Sequence, residues 1–161
     1  MSRATRVLAT LPEFNVMLFA VLVSYPWEFI QSPLYAGMSD QRHWDAVKTC
    51  TVAALGDGVL IVVAYWGTAW LVRNRRWIVT PTARAMLPFL LIGLCITIIV
   101  EWLAQRGLWL QQWNYSAAMP LIPGLGVGWV PVLQWLILPP LVVGLVSRQI
   151  RDGYNGTTIS T

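Results

Sequence analysis

Four long apolar stretches alternate with shorter polar ones along this chain. The apolar stretches cover residues 12–32, 49–72, 85–103 and 125–146. A helix needs about 20 apolar residues to cross a bilayer, and each stretch is close to that length. The pattern therefore predicts an all-α polytopic membrane protein whose single domain, residues 1–150, is an up-down bundle of four transmembrane helices. A polar C-terminal tail is expected at 151–161.

Lysine and arginine are unevenly distributed between the two sides that four spans define. The side with both termini and the middle connection carries Arg3, Arg6, Arg73, Arg75, Arg76, Arg84, Arg148 and Arg151. The other side carries Arg42, Lys48 and Arg106. Since positively charged connections tend to stay in the cytoplasm, we expect both termini there and the connections 33–48 and 104–124 outside. A bacterial inner (cytoplasmic) membrane is the expected location.

The composition agrees with a protein whose main partner is the lipid bilayer. Hydrophobic residues make up 57% of the 161 residues and charged residues 11%, against about 25% charged residues in soluble domains. The net charge of +4 lies in the connections and forms no basic stripe, so no nucleic-acid partner is expected. Cys50 and Cys95 lack metal-ligand spacing, and the chain carries no cofactor motif, so no cofactor is expected.

Each predicted span contains a polar residue that is costly in a bilayer: Glu28, Asp57, Glu101 and Gln134. In the predicted orientation all four lie in the outer half of the membrane. A charge at mid-bilayer costs at least about 2.5 kcal/mol, so such residues usually face the bundle interior or a wet cavity and find a partner. Alternatively, Glu28 and Glu101 snorkel to the interface, and Gln134 forms a hydrogen bond between helices.

The spacing of these residues predicts polar stripes that face inward. Three sets have helical spacing: Ser24, Glu28, Gln31 and Tyr35; Thr97, Glu101 and Gln105; Asp57, Tyr65 and Thr68. Helix bundles build their sites from such facing stripes. Gly56 and Gly58 flank Asp57 and remove side chains there, so that a neighbouring helix or a ligand can approach closely.

The candidate catalytic residues are Glu28, Asp57, Glu101 and His43. Carboxyl groups buried in apolar surroundings tend to hold a proton and can act as general acids. His43 is the chain's sole histidine, a residue type that often serves as a general acid or base, although its polar connection favours an exposed position. A metal site built from these four residues would lack the Glu-x-x-His pairs of di-iron bundles, so no metal is expected.

The candidate substrate-binding residues surround the connection 104–124. Several tryptophans there either belong to an interfacial belt or line a pocket for an apolar or polyene-like ligand. The aromatic candidates are Trp102, Trp109, Trp113 and Tyr115, and Trp129 belongs to the same group of tryptophans. The amide candidates are Gln31, Gln105 and Gln134.

Residues 101–135 resemble the repeating unit of small membrane carotenoid enzymes, the heterodimeric lycopene cyclases and carotenoid hydratases. The resemblance rests on the acid Glu101 at the end of a span, then Gly107-Leu108-Trp109, Trp113-Asn114-Tyr115, Pro120, Pro123 and an apolar stretch opened by Pro131. It implies a related helical fold and an isoprenoid substrate. The chain departs from the cyclases at Pro131-Val132-Leu133-Gln134, where they have a proline followed by paired glutamates. A glutamine at this position cannot supply the proton that a glutamate would supply.

Three functions remain open from the sequence. An intramembrane enzyme would use the carboxyls for proton-driven cyclisation, hydration or isomerisation of an isoprenoid double bond. A non-catalytic subunit or assembly factor of a larger membrane complex would use them to hold helices together. A small proton-coupled carrier would use Asp57 and Glu101 as relay groups, and would need to form a homo-oligomer to build a pathway.

Overall fold

The computed structural model describes residues 10–110 and 112–158, with side chains described as far as Asp152. This part of the chain contains four long helices: α1, Pro12–Gln31; α2, His43–Val72; α3, Ala83–Gln105; and α4, Trp129–Thr158. A short 3₁₀ helix, Ser32–Leu34, extends α1. Each long helix is long and apolar enough to cross a membrane. The predicted all-helical, four-helix fold is confirmed, and its composition indicates a membrane protein.

Two helices begin several residues away from the start of their predicted spans. α2 begins at His43 instead of residue 49, because Asp45 in its first turn supports the helix through ion pairs with Arg42 at 3.0 Å and Lys48 at 2.8 Å. α4 begins at Trp129 instead of residue 125, after turns in which Gly124 and Gly126 adopt positive φ. A positive φ is a conformation that glycine adopts without the penalty of a side chain.

The predicted polar tail also differs from the structure. α4 continues to Thr158, so most of the stretch predicted at 151–161 is helical, and its last residues lie outside the described part of the chain.

Each helix packs against its neighbours in the chain, and α1 also packs against α4, so the four form a closed ring. Glu28 and Glu101 lie near the C-terminal ends of α1 and α3, whereas Gln134 lies near the start of α4. These residues converge at one end of the bundle, called here the acidic end. The opposite end, called the arginine end, carries the connection between α2 and α3 with Arg73, Arg75 and Arg76.

The arginine end is filled by aromatic side chains. Trp77, from the connection between α2 and α3, is 2% exposed and lies between Tyr65 and Phe89, with ring centroids 5.8 and 5.2 Å away. The Tyr65 hydroxyl donates to the backbone carbonyl of Arg75, and the indole N–H of Trp77 donates to the Tyr65 carbonyl at 3.3 Å. These contacts hold the connection against the bundle and close it at this end.

Two glycines allow close packing between helices. A Cβ on Gly93 of α3 would lie 1.9 Å from the ring of Trp135 on α4, so the indole occupies the space that any side chain there would need. A Cβ on Gly58 of α2 would lie 2.8 Å from Val21 of α1. The expected close approach of a neighbouring helix at Gly58 is therefore present.

Candidate functional site

The polar stripes predicted on α1 and α3 face the interior of the bundle. Ser24, Glu28 and Gln31 are buried on α1, as are Thr97 and Glu101 on α3. On α2, Tyr65 and Thr68 are fully buried and Asp57 is half-buried. The helical period therefore places carboxyl groups from three helices in one interior region, as the sequence analysis expects.

Glu28 and Asp57 are joined through one glutamine. The side-chain nitrogen of Gln134 donates to Asp57 Oδ2 at 2.5 Å and to Glu28 Oε1 at 3.3 Å. Glu28 Oε1 also accepts a hydrogen bond of 2.8 Å from Gln31 Nε2, whose side-chain oxygen accepts from the indole of Trp27 at 3.0 Å. The two carboxyls thus converge on the same amide, and the network ties α1, α2 and α4 together.

Glu101 has a different set of partners. Its Oε2 atom accepts hydrogen bonds from the indole N–H of Trp113 at 2.9 Å and the hydroxyl of Tyr115 at 2.6 Å. The backbone N–H of Gly128 donates in turn to the Tyr115 oxygen at 2.9 Å. Burial disfavours an ionised carboxylate at this position, and the two donors offset part of that cost. Burial, and then the nearby charge of Glu101, raise the pKa of Tyr115 above its ordinary range, so the phenol remains a donor.

The two connections at the acidic end are paired with each other. Tyr35 and Tyr115 form an antiparallel bridge, and their ring centroids lie 5.7 Å apart. The Ala36 N–H donates to the Asn114 carbonyl at 2.8 Å, and the Ser116 N–H donates to the Leu34 carbonyl at 2.9 Å. We call residues 34–36 and 113–116 the lid, because they lie over the carboxyl groups.

A cavity of about 490 Å³ lies beneath the lid, within the size range of sites that bind small molecules. The three carboxyl groups of Glu28, Asp57 and Glu101 all line it. Gln31, Gln134, Trp109 and Trp113, which are among the sequence candidates for substrate binding, line it too.

Other sequence candidates lie outside the cavity. His43 is the exposed first residue of α2 and does not line it. Trp102 is 42% exposed, with the Arg106 guanidinium 3.9 Å from its ring centroid, and Trp129 is 43% exposed at the start of α4. Gln105 donates to the backbone carbonyl of Glu101 at 3.2 Å. Helical phase and the fold of the connections place these residues away from the cavity wall.

Tyr115 contributes to the cavity indirectly. It does not line the cavity, but its hydroxyl donates to Glu101, which does.

Sequence reasoning missed several residues that form the cavity. Trp135 lines it while packing on Gly93, and Cys50, Val52 and Val59 line it from α2. The α2 residues could have been found from Asp57, because they lie within two helical turns of it.

In the described ranges 10–110 and 112–158, no group of three or more His, Cys, Asp and Glu side chains is placed to hold a metal ion. Comparison of the chain with protein-family models, curated proteins and solved structures finds no match. The site must therefore be interpreted from its own geometry.

Proposed function

We propose that this protein is an intramembrane enzyme that performs acid–base chemistry on an uncharged, unsaturated molecule dissolved in the membrane. The observation that carries the proposal is that three carboxyl groups from three helices line one 490 Å³ cavity with different hydrogen-bond partners. Enzymes often assign acid and base roles to two carboxyls through such differences in environment.

The Glu28–Asp57 pair is suited to the role of general acid. Two carboxyl groups that share one amide donor in apolar surroundings repel each other when both are ionised, so the pair retains a proton. Glu101 is suited to the role of base, because Trp113 and Tyr115 stabilise its carboxylate.

The reaction that these roles support is isomerisation or cyclisation of an isoprenoid double bond. A proton passes from the Glu28–Asp57 pair to one alkene carbon, and a carbocation forms at its neighbour. Trp109 and Trp113, whose side chains line the cavity, stabilise this cation. Loss of a proton from an adjacent carbon to Glu101 forms the new double bond, either directly or after ring closure. The product has the same elemental composition as the substrate, because one proton is gained and another is lost. The proton then returns from Glu101 to the Glu28–Asp57 pair.

The distribution of arginines supports one orientation in the membrane. Arg73, Arg75, Arg76 and Arg84 lie at the arginine end, which we assign to the cytoplasmic side. The acidic end and its cavity then lie in the outer half of the bilayer. The resemblance of residues 101–135 to carotenoid enzymes supports an isoprenoid substrate.

Deuterium incorporation tests the proposed chemistry. The purified protein is placed in vesicles that contain lycopene or geranylgeraniol, and the vesicles are incubated in D₂O. Protonation and deprotonation of carbon exchange hydrogen for deuterium even when little product accumulates, and mass spectrometry detects the exchange. We expect incorporation with wild type and loss of it with Asp57→Asn and Glu101→Gln.

Glu13→Gln is the matched control. Glu13 lies on the same helix as Glu28 but bonds Arg75 at 2.7 Å, at the other end of the bundle. This variant should retain the exchange. Equal exchange in wild type and the Asp57→Asn/Glu101→Gln double variant would contradict the proposal. A purely structural role for the carboxyls would be supported by two results together. Wild type would show no exchange, and Asp57→Asn and Glu101→Gln would lower the unfolding temperature.

A further inference from the structure

One side of the cavity opens between α2 and α3. Val52, Gly56 and Val59 follow one another on a single face of α2 and line the cavity. Val52 is 49% exposed and Val59 is 52% exposed, so the same residues also form part of the outer surface of the bundle. A Cβ on Gly56 would meet no atom within 4 Å, which shows open space at this point. We call this opening the side window.

The two helices that frame the side window pack closely nearer the arginine end. A Cβ on Gly67 of α2 would lie 3.1 Å from Ile92 of α3. Toward the acidic end the space between the same helices belongs to the cavity, with Thr97 and Val100 lining it from α3. The window therefore lies within the length of helix that a bilayer would cover.

The lid covers part of the acidic end of the bundle. Backbone hydrogen bonds join its two segments, and Trp109 and Trp113 form part of the cavity wall. The apolar window faces the surface that lipid chains would contact, so it gives a more direct path for a molecule that is already in the membrane.

The charges on the cavity wall restrict the ligand further. Three carboxyls line the cavity, and none of the described residues that line it is lysine or arginine. A phosphate or carboxylate group would be brought close to these carboxyls with no cation to offset the repulsion. Other polar side chains that line the cavity are uncharged, among them Gln41, Thr49 and Gln112.

We infer that the cavity admits an uncharged, chain-like lipid, such as an isoprenoid hydrocarbon or alcohol, sideways through the window between α2 and α3. This inference rests on the cavity of the proposed function and specifies its substrate class. The reacting end of the molecule lies beside the carboxyls, and the rest of its chain extends through the window into the bilayer. Prenyl phosphates are excluded as substrates by their charge.

Cys50 provides a native probe of this cavity. It is 2% exposed and lines the cavity, whereas Cys95 is exposed elsewhere and can be replaced by alanine. In a Cys95→Ala background in vesicles, the rate of Cys50 labelling by lipid-soluble N-phenylmaleimide reports access. The rate requires no turnover, so it is independent of whether the proposed reaction occurs.

Gly56→Leu should slow this labelling several-fold, because its side chain would fill the side window. Gly144→Leu is the matched control, since Gly144 is also helical and exposed, and a Cβ there meets no atom within 4 Å. If Gly56→Leu lowers thermal stability, Val52→Trp provides a second obstruction from an exposed position. Unchanged labelling in a folded window variant would overturn side access.

The charge preference is tested with two ligands of the same chain. Geranylgeraniol should protect Cys50 from N-phenylmaleimide in a concentration-dependent way, and geranylgeranyl monophosphate should not. Equal protection by the phosphate would overturn the inferred class. Absence of deuterium exchange in wild type, with intact protection of Cys50, would instead contradict the proposed reaction and leave the ligand class standing.

Discussion

Gln134 donates a hydrogen bond of 2.5 Å to the carboxyl of Asp57 and so connects opposite corners of the bundle. The same nitrogen lies 3.3 Å from Glu28 on a third helix. A glutamine therefore occupies the centre of the acidic cluster. Its amide satisfies two carboxyls, which a carboxylic acid at this position would do less well because it offers a single proton.

Removal of this amide should destabilise the protein. We expect Gln134→Leu to lower the free energy of unfolding by roughly 1–3 kcal/mol, because a hydrogen bond to a charged or partly charged carboxyl is lost inside the bundle. Thermal unfolding in mild detergent measures the change. Gln105→Leu is the control, since Gln105 bonds to a backbone carbonyl of its own helix. A similar loss in both variants would contradict the special role of Gln134.

The contact between Gly93 and Trp135 should tolerate no added side chain. Gly93→Ala would place a methyl group 1.9 Å from the indole, so the ring must move. We expect a loss of about 1–3 kcal/mol, typical of an overpacked core. Gly144→Ala should be neutral or slightly stabilising, because it adds helix propensity in open space. Equal stability of the two variants would show that α3 and α4 do not pack as described.

Thr97 is a buried polar residue whose removal should stabilise the protein. Its hydroxyl is buried and has no hydrogen-bond partner among the residues that the structure describes. Thr97→Val should therefore raise the unfolding temperature, since it removes an unsatisfied polar group at nearly constant shape. Thr68→Val is the comparison, because the Thr68 hydroxyl donates to the Ala64 carbonyl at 2.9 Å. This substitution removes a hydrogen bond and should lower the unfolding temperature of the protein. The reverse order would contradict this assignment.

Tyr115 should make the protein sensitive to alkaline pH. Its pKa is raised by burial and by Glu101, so the folded state holds the phenolic proton more tightly than the unfolded chain does. The resulting stability is complete below the ordinary tyrosine pKa of about 10 and is lost as the pH rises above it. Unfolding temperatures measured from about pH 7 to about pH 11 should show this decline, and Tyr115→Phe should reduce it. An unchanged decline in Tyr115→Phe would assign it to other groups.

Helical periodicity accounts for most of what the sequence predicts. Glu28, Asp57 and Glu101 can be placed together because each lies on a polar stripe in an otherwise apolar helix, and burial of such residues requires partners. Gln134 can be placed with them by its depth in the fourth span. The stripe positions are local properties of a helix, so they can be read without knowing how the helices pack.

The connections could not be predicted in the same way. The sequence predicts His43 in a connection, but it begins α2. Trp102, predicted either in an interfacial belt or in the pocket, lies outside the cavity under Arg106. The lid depends on backbone pairing between Tyr35 and Tyr115, which are far apart in the chain. No local pattern encodes such a long-range pairing, nor the position of the Trp135 ring on Gly93.

Analysis of the molecules bound to the purified protein is the most direct test of the central claim that the cavity holds a membrane-soluble substrate. Protein solubilised in a mild detergent is examined by native mass spectrometry together with an absorption spectrum, for wild type and for Gly56→Leu. We predict that wild type retains an uncharged isoprenoid or similar lipid, and that the variant with the obstructed window retains much less. Co-purifying protein subunits with no small molecule in wild type would contradict the account and indicate a structural subunit of a larger complex.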